Sequence, residues 1–262
     1  MIAEELPDGR RHIQFGHAFD SYPNPIRHIE TAPLFVSYSD QGLNGLSVNF
    51  QRHLRDKVIT WTKGSLPRPI HYNCWEAIYF EHEPNNLSEI MELAADIGAE
   101  RFVLDDGWFG TRDDDTQSLG DWEIDPRKYP EGLGPLIAKV NQFGMSFGIW
   151  FEPEMVNLNS KLYVKHPNWV LGTIDQILGR NQLVLDMANP GVQEYLFEKI
   201  SAILADHNVT YIKWDHNRVL PHVDAAQTYG TYELMSRLRD KFPNVEIESC
   251  ASGGGRIDFG IL

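Results

Sequence analysis

VTYIKWDHN, residues 209–217, is an apolar run that stops at an aspartate and carries a lysine two positions before it. Side chains alternate between the two faces of a strand, so Lys213, Asp215 and Asn217 would project together, opposite Trp214 and His216. A cation beside a carboxylate lowers the pKa of that carboxylate and keeps it ionised, as a carboxylate nucleophile requires. Taken alone, the pattern fits a solvated ion pair at a strand end better than a nucleophile.

The same pattern recurs on both sides of this segment. Strand-like runs at residues 70–80, 101–104, 147–151 and 245–249 alternate with helical periodicities at residues 87–97, 133–143, 192–204 and 229–242. Strands that alternate with helices of this length indicate parallel βαβ units. A further strand-like piece at residues 183–186 can also be read as an excursion outside the main sheet.

Polar and aromatic side chains gather just after the strands, notably Asp105, Asp106, Glu152, Asp215 and Cys250. A (β/α)8 barrel builds its active site at that end. An open doubly wound sheet would also bind ligands there, but it usually has a glycine-rich phosphate turn, which this sequence lacks. The sequence therefore predicts an α/β fold, a (β/α)8 TIM barrel with five of its eight strands, or six with residues 183–186.

The N-terminal quarter has a different pattern. Residues 1–66 hold short apolar pieces at 33–38 and 45–50 between turn residues, which we interpret as β-rich or irregular, and the linker GSLPRP follows at 64–69. The predicted domains are therefore residues 1–66, which include the linker, and residues 67–262, the barrel.

Charge and cysteine content exclude several classes of function. A net charge of −14 argues against nucleic acid as a partner and against strongly anionic substrates. Two cysteines are too few for a disulfide framework, which favours a reducing, cytoplasmic location. No apolar run reaches the length of a membrane span, and the N-terminus does not resemble a secretion signal.

Three local motifs suggest a sugar pocket. Asp105-Asp106 before Gly107-Trp108 could accept from sugar hydroxyls beside an apolar wall, or Asp105 could simply cap a loop. Tryptophans near strand ends, Trp75 and Trp150, are candidate pocket walls or core residues. The glycine-rich CASGGGR at residues 250–256 matches no nucleotide motif and is either a close backbone approach to a ligand or a plain loop. The ten histidines show no metal-ligand spacing, so neither metal nor cofactor is predicted.

Eight sequence blocks resemble one known family. The sequence resembles the retaining α-galactosidases of glycoside hydrolase family 36, which use a (β/α)8 barrel, over about residues 30–262. The blocks that carry the resemblance are NCWEAIYF (73–80), LDDGWFG (104–110), SLGDW (118–122), GIWFEPEMVN (148–157), LYVKHPNWV (162–170), LVLDMANP (183–190), YIKWDHNR (211–218) and ESCASGGGR (248–256). The resemblance implies that residues 1–66 are the C-terminal part of that family's N-terminal β-sandwich domain.

The resemblance also implies a role for each candidate residue. Asp215 would be the nucleophile, and Asp105 and Asp106 would bind the 4- and 6-hydroxyls of galactose. The remaining substrate-binding residues would be Trp75 and Trp150 as pocket walls, Arg180 and Lys213 on ring hydroxyls, Asn217 near the 2-hydroxyl, and Cys250, Ser252 and Gly253 closing the pocket.

One family feature is missing from the sequence. The acid/base carboxylate of the family follows the cysteine by roughly twenty residues in a Ser-Asp-Asn-type motif, whereas this sequence ends at Leu262. We therefore expect a C-terminally truncated chain that is inactive alone. Glu248, which shares a strand face with Cys250, is the best internal substitute, ahead of Glu152 and Glu154, although a buried structural glutamate is the simpler interpretation.

Three functions are compatible with these observations. The first is a retaining hydrolase of terminal α-galactosides such as melibiose and raffinose. The second is a short galactoside-binding protein without catalysis, and the third is a retaining α-galactosyltransferase, because a sugar can replace water as acceptor. The expected partner is a small α-galactoside; neither nucleic acid nor a membrane is expected, and the resemblance allows a homo-oligomer for the full-length parent.

Overall fold

The computed structural model describes residues 2–14, 33–60, 67–173, 175–222 and 225–262. The chain forms two compact units. One comprises Met1–Val58 with His222–Ala225, and the other comprises Ile59–Pro221 with Ala226–Leu262.

The first unit contains a hairpin and a helix. Strands β1 (Ile2–Glu5) and β2 (Arg11–Gln14) pair antiparallel, and helix α1 (Gly42–His53) continues into a π-helical turn at Leu54–Val58. The interpretation of residues 45–50 as β-rich or irregular is therefore wrong, since apolar residues three and four positions apart lie on one face of a helix. The assignment of residues 1–66 to a β-sandwich stays a prediction, and residues 61–66 of the linker lie outside the described residues.

The second unit is built on a parallel five-stranded sheet. Its strands pair in the order β3-β4-β5-β8-β9, and every neighbouring pair is parallel. The strands are β3 (His71–Asn73), β4 (Arg101–Leu104), β5 (Ser146–Phe151), β8 (Tyr211–Trp214) and β9 (Glu246–Ser249). The helices between them are α2 (Trp75–Ile78), α3 (Pro84–Asp96), α4 (Gly134–Gln142), α5 (Lys161–Lys165), α6 (Pro190–Asp206) and α7 (Ala225–Lys241).

The hydrophobic core lies between the strands and these helices. Phe102, Leu104, Ile149 and Ile212 are buried, and they alternate along their strands with residues of the opposite face. The helices contribute buried apolar residues at helical spacing, among them Leu87, Met91, Ile137, Val140, Leu196 and Ile200. This core holds the strands in register, so the residues that follow them meet at one edge of the sheet.

Two local features complete the framework. β6 (Met155–Asn157) and β7 (Gln182–Val184) pair antiparallel outside the main sheet, which confirms the excursion near residues 183–186. The strand predicted for residues 70–80 is wrong beyond Asn73. Here the Asn73 side chain accepts a hydrogen bond from the main-chain N–H of Trp75, at 2.9 Å, and the short helix α2 begins.

Candidate active site

The carboxyl ends of the five strands carry a cluster of ionisable side chains. Trp150, Lys213 and Glu248 are aligned across β5, β8 and β9 on the same face. Lys213 reaches over to Asp105 at the end of β4, with Nζ donating to Oδ2 at 2.8 Å, and the Asn73 amide donates to the same oxygen. The register of the sheet therefore assembles residues that are 175 positions apart in the sequence.

Asp215 lies directly after β8 and is 6% exposed. Its Oδ2 accepts from Trp150 Nε1 at 3.0 Å, and its Oδ1 accepts from the main-chain N–H of His216 at 2.9 Å. Burial raises the pKa of this carboxyl, but hydrogen bonds from Trp150, Asn217 and Cys250 outweigh burial and hold the pKa below its ordinary value. Asp215 is therefore ionised at neutral pH.

The role of Lys213 differs in part from the expectation. Its ammonium pairs with Asp105 rather than with Asp215, and its charge favours ionised Asp215 only from a distance. Burial lowers the pKa of Lys213, but the charge and hydrogen bond of Asp105, together with the charge of Asp215, outweigh burial and raise the pKa above its ordinary value. Lys213 thus pairs with Asp105 at the end of β4 and also attracts the carboxylate of Asp215 at the end of β8.

Asp106 is held by an arginine that the sequence analysis missed. Arg112 is fully buried, and its Nε and Nη2 each donate to one oxygen of Asp106 at 2.8 Å. Arg112 is itself fixed by Asn157 Oδ1, which accepts from Nη1 at 2.8 Å. Burial raises the pKa of Asp106, opposed by the guanidinium. Each Asp106 oxygen keeps one lone pair free for a ligand hydroxyl.

Besides Asp105, Asp106 and Asp215, the site contains the buried carboxyl of Glu152. Burial and the charge of Asp215 raise its pKa to about 8. Its Oε2 accepts from Gln182 Nε2 at 2.9 Å, and its Oε1 accepts from the main-chain N–H of Asn217. Glu152 thus joins the β6–β7 excursion to the segment that follows Asp215.

The glycine-rich segment after β9 is anchored rather than free. Arg256 donates to Glu154 Oε1 and, at 3.0 Å, to Ser249 Oγ. Glu154 also accepts from Trp214 Nε1 and from Thr231 Oγ1, both at 2.9 Å. This segment borders an open cleft of about 820 Å³ between the residues after β8 and the first turns of α7.

The other candidate residues differ in how firmly they join the cluster. Burial raises the pKa of Cys250 to about 11, so its thiol stays protonated and donates to Asp215. Arg180 is exposed and has a positive φ of 50°, and its charge acts on Asp106 and Glu152. Ser252 and Gly253 are exposed, and Trp75 is half-buried with its ring edge-on to Tyr79 and Phe80. Their roles stay predictions.

A buried histidine, also missed from the sequence, fixes the backbone of Asp106. His82 Nε2 donates to the Asp106 main-chain oxygen at 3.0 Å, and Nδ1 accepts from Tyr129 at 2.7 Å. Burial lowers the pKa of His82 to about 4, so the ring is neutral. Neither His82 nor Arg112 could be identified from the sequence, because each reaches the site through a loop contact with no periodic pattern.

The described residues hold no group of three or more His, Cys, Asp or Glu side chains arranged to bind a metal ion. Within the same residues, no helix has the length and apolar content needed to cross a membrane. Cys74 and Cys250 are both free.

Comparisons with known proteins place this geometry in context. The Melibiase family model matches residues 28–262. An α-galactosidase of Escherichia coli is 44% identical over all of this chain and 39% of its own length, and α-galactosidase AgaA of Geobacillus stearothermophilus is 43% identical over 91% of this chain and 35% of its own. The chain therefore spans little more than a third of the length of these two relatives.

Solved structures agree with the sequence comparison. The GH36 α-galactosidase AgaB of Geobacillus stearothermophilus superposes with a TM-score of 0.81 at 44% identity, covering 86% of this chain and 33% of that one. A variant of AgaA in complex with raffinose gives a TM-score of 0.81 at 43% identity, with the same coverage. These likenesses confirm the predicted fold class, in which the five parallel strands are strands of a (β/α)8 barrel.

Proposed function

The chain belongs to the melibiase family, and from this membership we propose that it forms the galactose pocket and the nucleophile of a retaining α-galactosidase. The enzyme would hydrolyse terminal α-D-galactosyl residues of galactosides such as melibiose and raffinose. The reaction would be a double displacement through a galactosyl-enzyme intermediate. The observation that carries the proposal is the buried, ionised Asp215 at the end of β8, surrounded by hydrogen-bond donors.

Asp215 has the properties of a carboxylate nucleophile. Its Oδ2 faces the Trp150 indole N–H and its Oδ1 the His216 main-chain N–H, so the carboxylate is fixed in orientation. Attack on the anomeric carbon would form a galactosyl ester with Asp215, and the aglycone would leave with a proton supplied by an acid. Water would then cleave the ester, with the conjugate base of that acid accepting the proton of the water.

Asp105 and Asp106 are suited to read the hydroxyls of the sugar. Both are buried and adjacent, and each is held by a different cation, Lys213 or Arg112. The pairing prevents their mutual repulsion from displacing either group. The 4-hydroxyl of galactose would donate to one of these carboxylates. In glucose this hydroxyl points elsewhere, so the carboxylate would be left as a buried acceptor without a partner, which is costly.

The acid/base group is not assigned to a described residue. Asp106 and Glu154 are ion-paired, and Glu152 accepts from two N–H donors. Glu248 accepts from the Tyr211 hydroxyl and lies across from Lys213. We propose that the geometry described provides the nucleophilic attack of the first half-reaction more fully than it provides the leaving-group protonation of the same step.

A mechanism-based trap tests this proposal directly. 5-Fluoro-α-galactosyl fluoride carries a leaving group that needs little protonation, so it should label the nucleophile even where an acid is missing. Incubation followed by peptide mapping by mass spectrometry should place one fluorogalactosyl group on Asp215. Asp215→Ala should remain unlabelled, while Glu248→Gln should label like the unaltered chain.

Other outcomes would contradict the assignment. A label on Glu152 or Glu248, or labelling that persists in Asp215→Ala, would make Asp215 a binding residue. Galactose binding with no label in the unaltered chain would favour a galactoside-binding protein without catalysis.

A further inference from the structure

Glu152 differs from Asp105, Asp106 and Glu154 in how it is held. Asp105, Asp106 and Glu154 each form an ion pair, with Lys213, Arg112 and Arg256 respectively. Glu152 is 1% exposed and, among the residues that the structure describes, forms no ion pair. Its two oxygens instead accept from two N–H groups, one on the side chain of Gln182 and one on the main chain of Asn217.

These two hydrogen bonds connect separate parts of the fold at the nucleophile. Glu152 is the first residue after β5, two positions after Trp150, whose indole N–H binds Asp215. Gln182 begins β7, and its main-chain oxygen also accepts from Arg218 Nη1 at 2.6 Å. Residues 217 and 218 are therefore tied to β7 both through Glu152 and directly.

The hydrogen bond from the Asn217 main-chain N–H to Glu152 matters because the Asn217 side chain acts on Asp215. Asn217 lies two positions after Asp215, and interaction with its side-chain amide lowers the pKa of that carboxyl. A main-chain shift at residue 217 would move this amide away from Asp215. Misplacement of a reacting or binding group by about 1 Å can cost on the order of 10²-fold in rate.

An ionised carboxyl at this position has an electrostatic cost that a neutral amide would not have. The charges of Asp215 and Asp106 disfavour an ionised Glu152, and the charge of Arg180 only partly offsets them. Structural packing alone does not explain this choice, since glutamine has the same length and could accept from Asn217 N–H. A carboxyl can accept from two donors at once, one on each oxygen, whereas glutamine has a single acceptor oxygen.

We propose that Glu152 is a positioning residue for the nucleophile segment, fixing the main chain of Asn217 so that its side chain meets both Asp215 and the 2-hydroxyl of the bound sugar. The inference rests on the proposed function, in which Asp215 attacks, and on the position near the 2-hydroxyl that the family resemblance implies for Asn217. Glu152 does not touch the substrate; it acts through Asn217.

Discrimination between galactose and 2-deoxygalactose tests this inference without requiring turnover. We expect the unaltered chain to bind galactose roughly threefold to tenfold more tightly than 2-deoxygalactose, the range for one neutral hydrogen bond. Asn217→Ala should remove most of that preference, and Glu152→Ala should remove it to a similar extent. The double variant should lose no more than Asn217→Ala alone, because both changes break one connection. Titration calorimetry measures all four proteins.

Two further variants separate positioning from general destabilisation. Glu152→Gln keeps an acceptor for Asn217 N–H, the bond that positions Asn217, and gives up only the bond from Gln182, so most of the preference should return. Asp121→Asn, at a buried carboxyl that likewise accepts from two N–H groups, those of Lys161 and Leu162, should change the melting temperature without changing the preference. Melting curves of all variants establish that each remains folded.

The possible failures are distinguishable. A preference that is unchanged in Glu152→Ala but lost in Asn217→Ala overturns the positioning role and leaves the proposed function intact. A preference that is equally affected by Asp121→Asn also overturns it. If Asn217→Ala keeps the full preference, the 2-hydroxyl contact and the positioning role through it are both wrong. Failure of Asp215 as nucleophile is detected separately, by trapping with the galactosyl fluoride.

Discussion

Glu152 links the stability of the fold to pH with a defined sign. Burial together with the charges of Asp215 and Asp106, partly offset by Arg180, raises its pKa to about 8. The folded state therefore favours the protonated carboxyl. This stabilisation is complete below the unfolded-state pKa of about 4.3 and is lost as the pH rises through 8.

Glu152→Gln should therefore change the pH dependence of stability. The variant has no group to ionise at this position, so its melting temperature minus that of the unaltered chain should increase from pH 5 to about pH 8 and level off above it. Glu154→Gln is the control with the opposite sign, because interactions with Arg256 and His216 outweigh burial and lower the pKa of Glu154. Its difference should be negative and flat over the same range. A flat difference for Glu152→Gln would show that Glu152 is not a buried titrating group.

Asp105 and Asp106 should determine the preference for galactose over glucose. Alanine at either position removes an acceptor for a sugar hydroxyl and leaves Lys213 or Arg112 without its partner. Hydrogen bonds to charged groups are worth about 1.5–3 kcal/mol, so galactose affinity should fall roughly 10- to 100-fold. Glucose affinity should change less. Asp114→Ala, an exposed carboxylate in the following loop, is the matched control and should leave both affinities unchanged.

Calorimetric titration with the two sugars checks this prediction. Equal losses for galactose and glucose in Asp105→Ala and Asp106→Ala would mean that the pair supports the pocket without reading the 4-hydroxyl.

Four candidate residues could be identified from the sequence by their position at or just after a strand. Asp105, Trp150, Lys213 and Asp215 were found in this way, and the structure brings them together through hydrogen bonds. Residues that hold them from elsewhere, such as Arg112 and His82, lie in loops, and only tertiary packing reveals their partners. The sequence could thus predict the site residues that follow the strands, but not the tertiary contacts that orient their side chains.

At the scale of elements, periodicity located most of the second unit. Helices α3, α4, α6 and α7 and strands β4, β5, β8 and β9 lie within a few residues of their predicted positions. The two errors have a common cause. Residues 45–50 and 74–80 are short apolar segments, which fit a strand or a helix equally well, and local hydrogen bonding such as the Asn73 turn before α2 decides between the two.

The packing of α7 gives a direct test of the element framework. A Cβ at Gly230 would lie 2.1 Å from the main-chain oxygen of Met187, so the helix can approach this segment closely only with glycine there. Gly230→Ala should destabilise the chain by about 1–3 kcal/mol, as overpacking does. Ser236→Ala, on an exposed face of the same helix, should change stability by less than about 0.5 kcal/mol. Urea unfolding of both variants measures the difference.

If Gly230→Ala is as stable as Ser236→Ala, the close approach of α7 to Met187 is wrong. Gln227 on α7 donates to the Leu185 main-chain oxygen at 2.9 Å and accepts from Met187 N–H at 2.8 Å. If Gly230→Ala displaces α7 from Met187, these two hydrogen bonds should weaken as well and loosen the segment after β7.

At the scale of the whole molecule, the described part of the barrel provides a nucleophile more completely than an acid. Asp215 is buried, ionised and oriented, whereas the neighbouring carboxyl groups that the structure describes are engaged with other partners. Glu248 has a pKa that burial raises, yet it accepts from the Tyr211 hydroxyl. General acid–base assistance typically increases the rate about 10²–10⁴-fold. Substrates whose leaving groups need little protonation should therefore be cleaved faster than substrates whose leaving groups must be protonated.

The 262 residues assayed as they stand should therefore cleave p-nitrophenyl α-galactoside weakly and melibiose not at all. Nitrophenolate is a good leaving group that departs with little assistance, whereas the glucose unit of melibiose must be protonated as it leaves. Protein purified free of host glycosidases should be compared with Asp215→Ala, which removes the nucleophile, and with Glu248→Gln. Melibiose turnover that is lost in Asp215→Ala would contradict this division and require an internal acid. Its further loss in Glu248→Gln would identify that acid as Glu248, while its persistence in Glu248→Gln would point to another carboxyl beside the pocket.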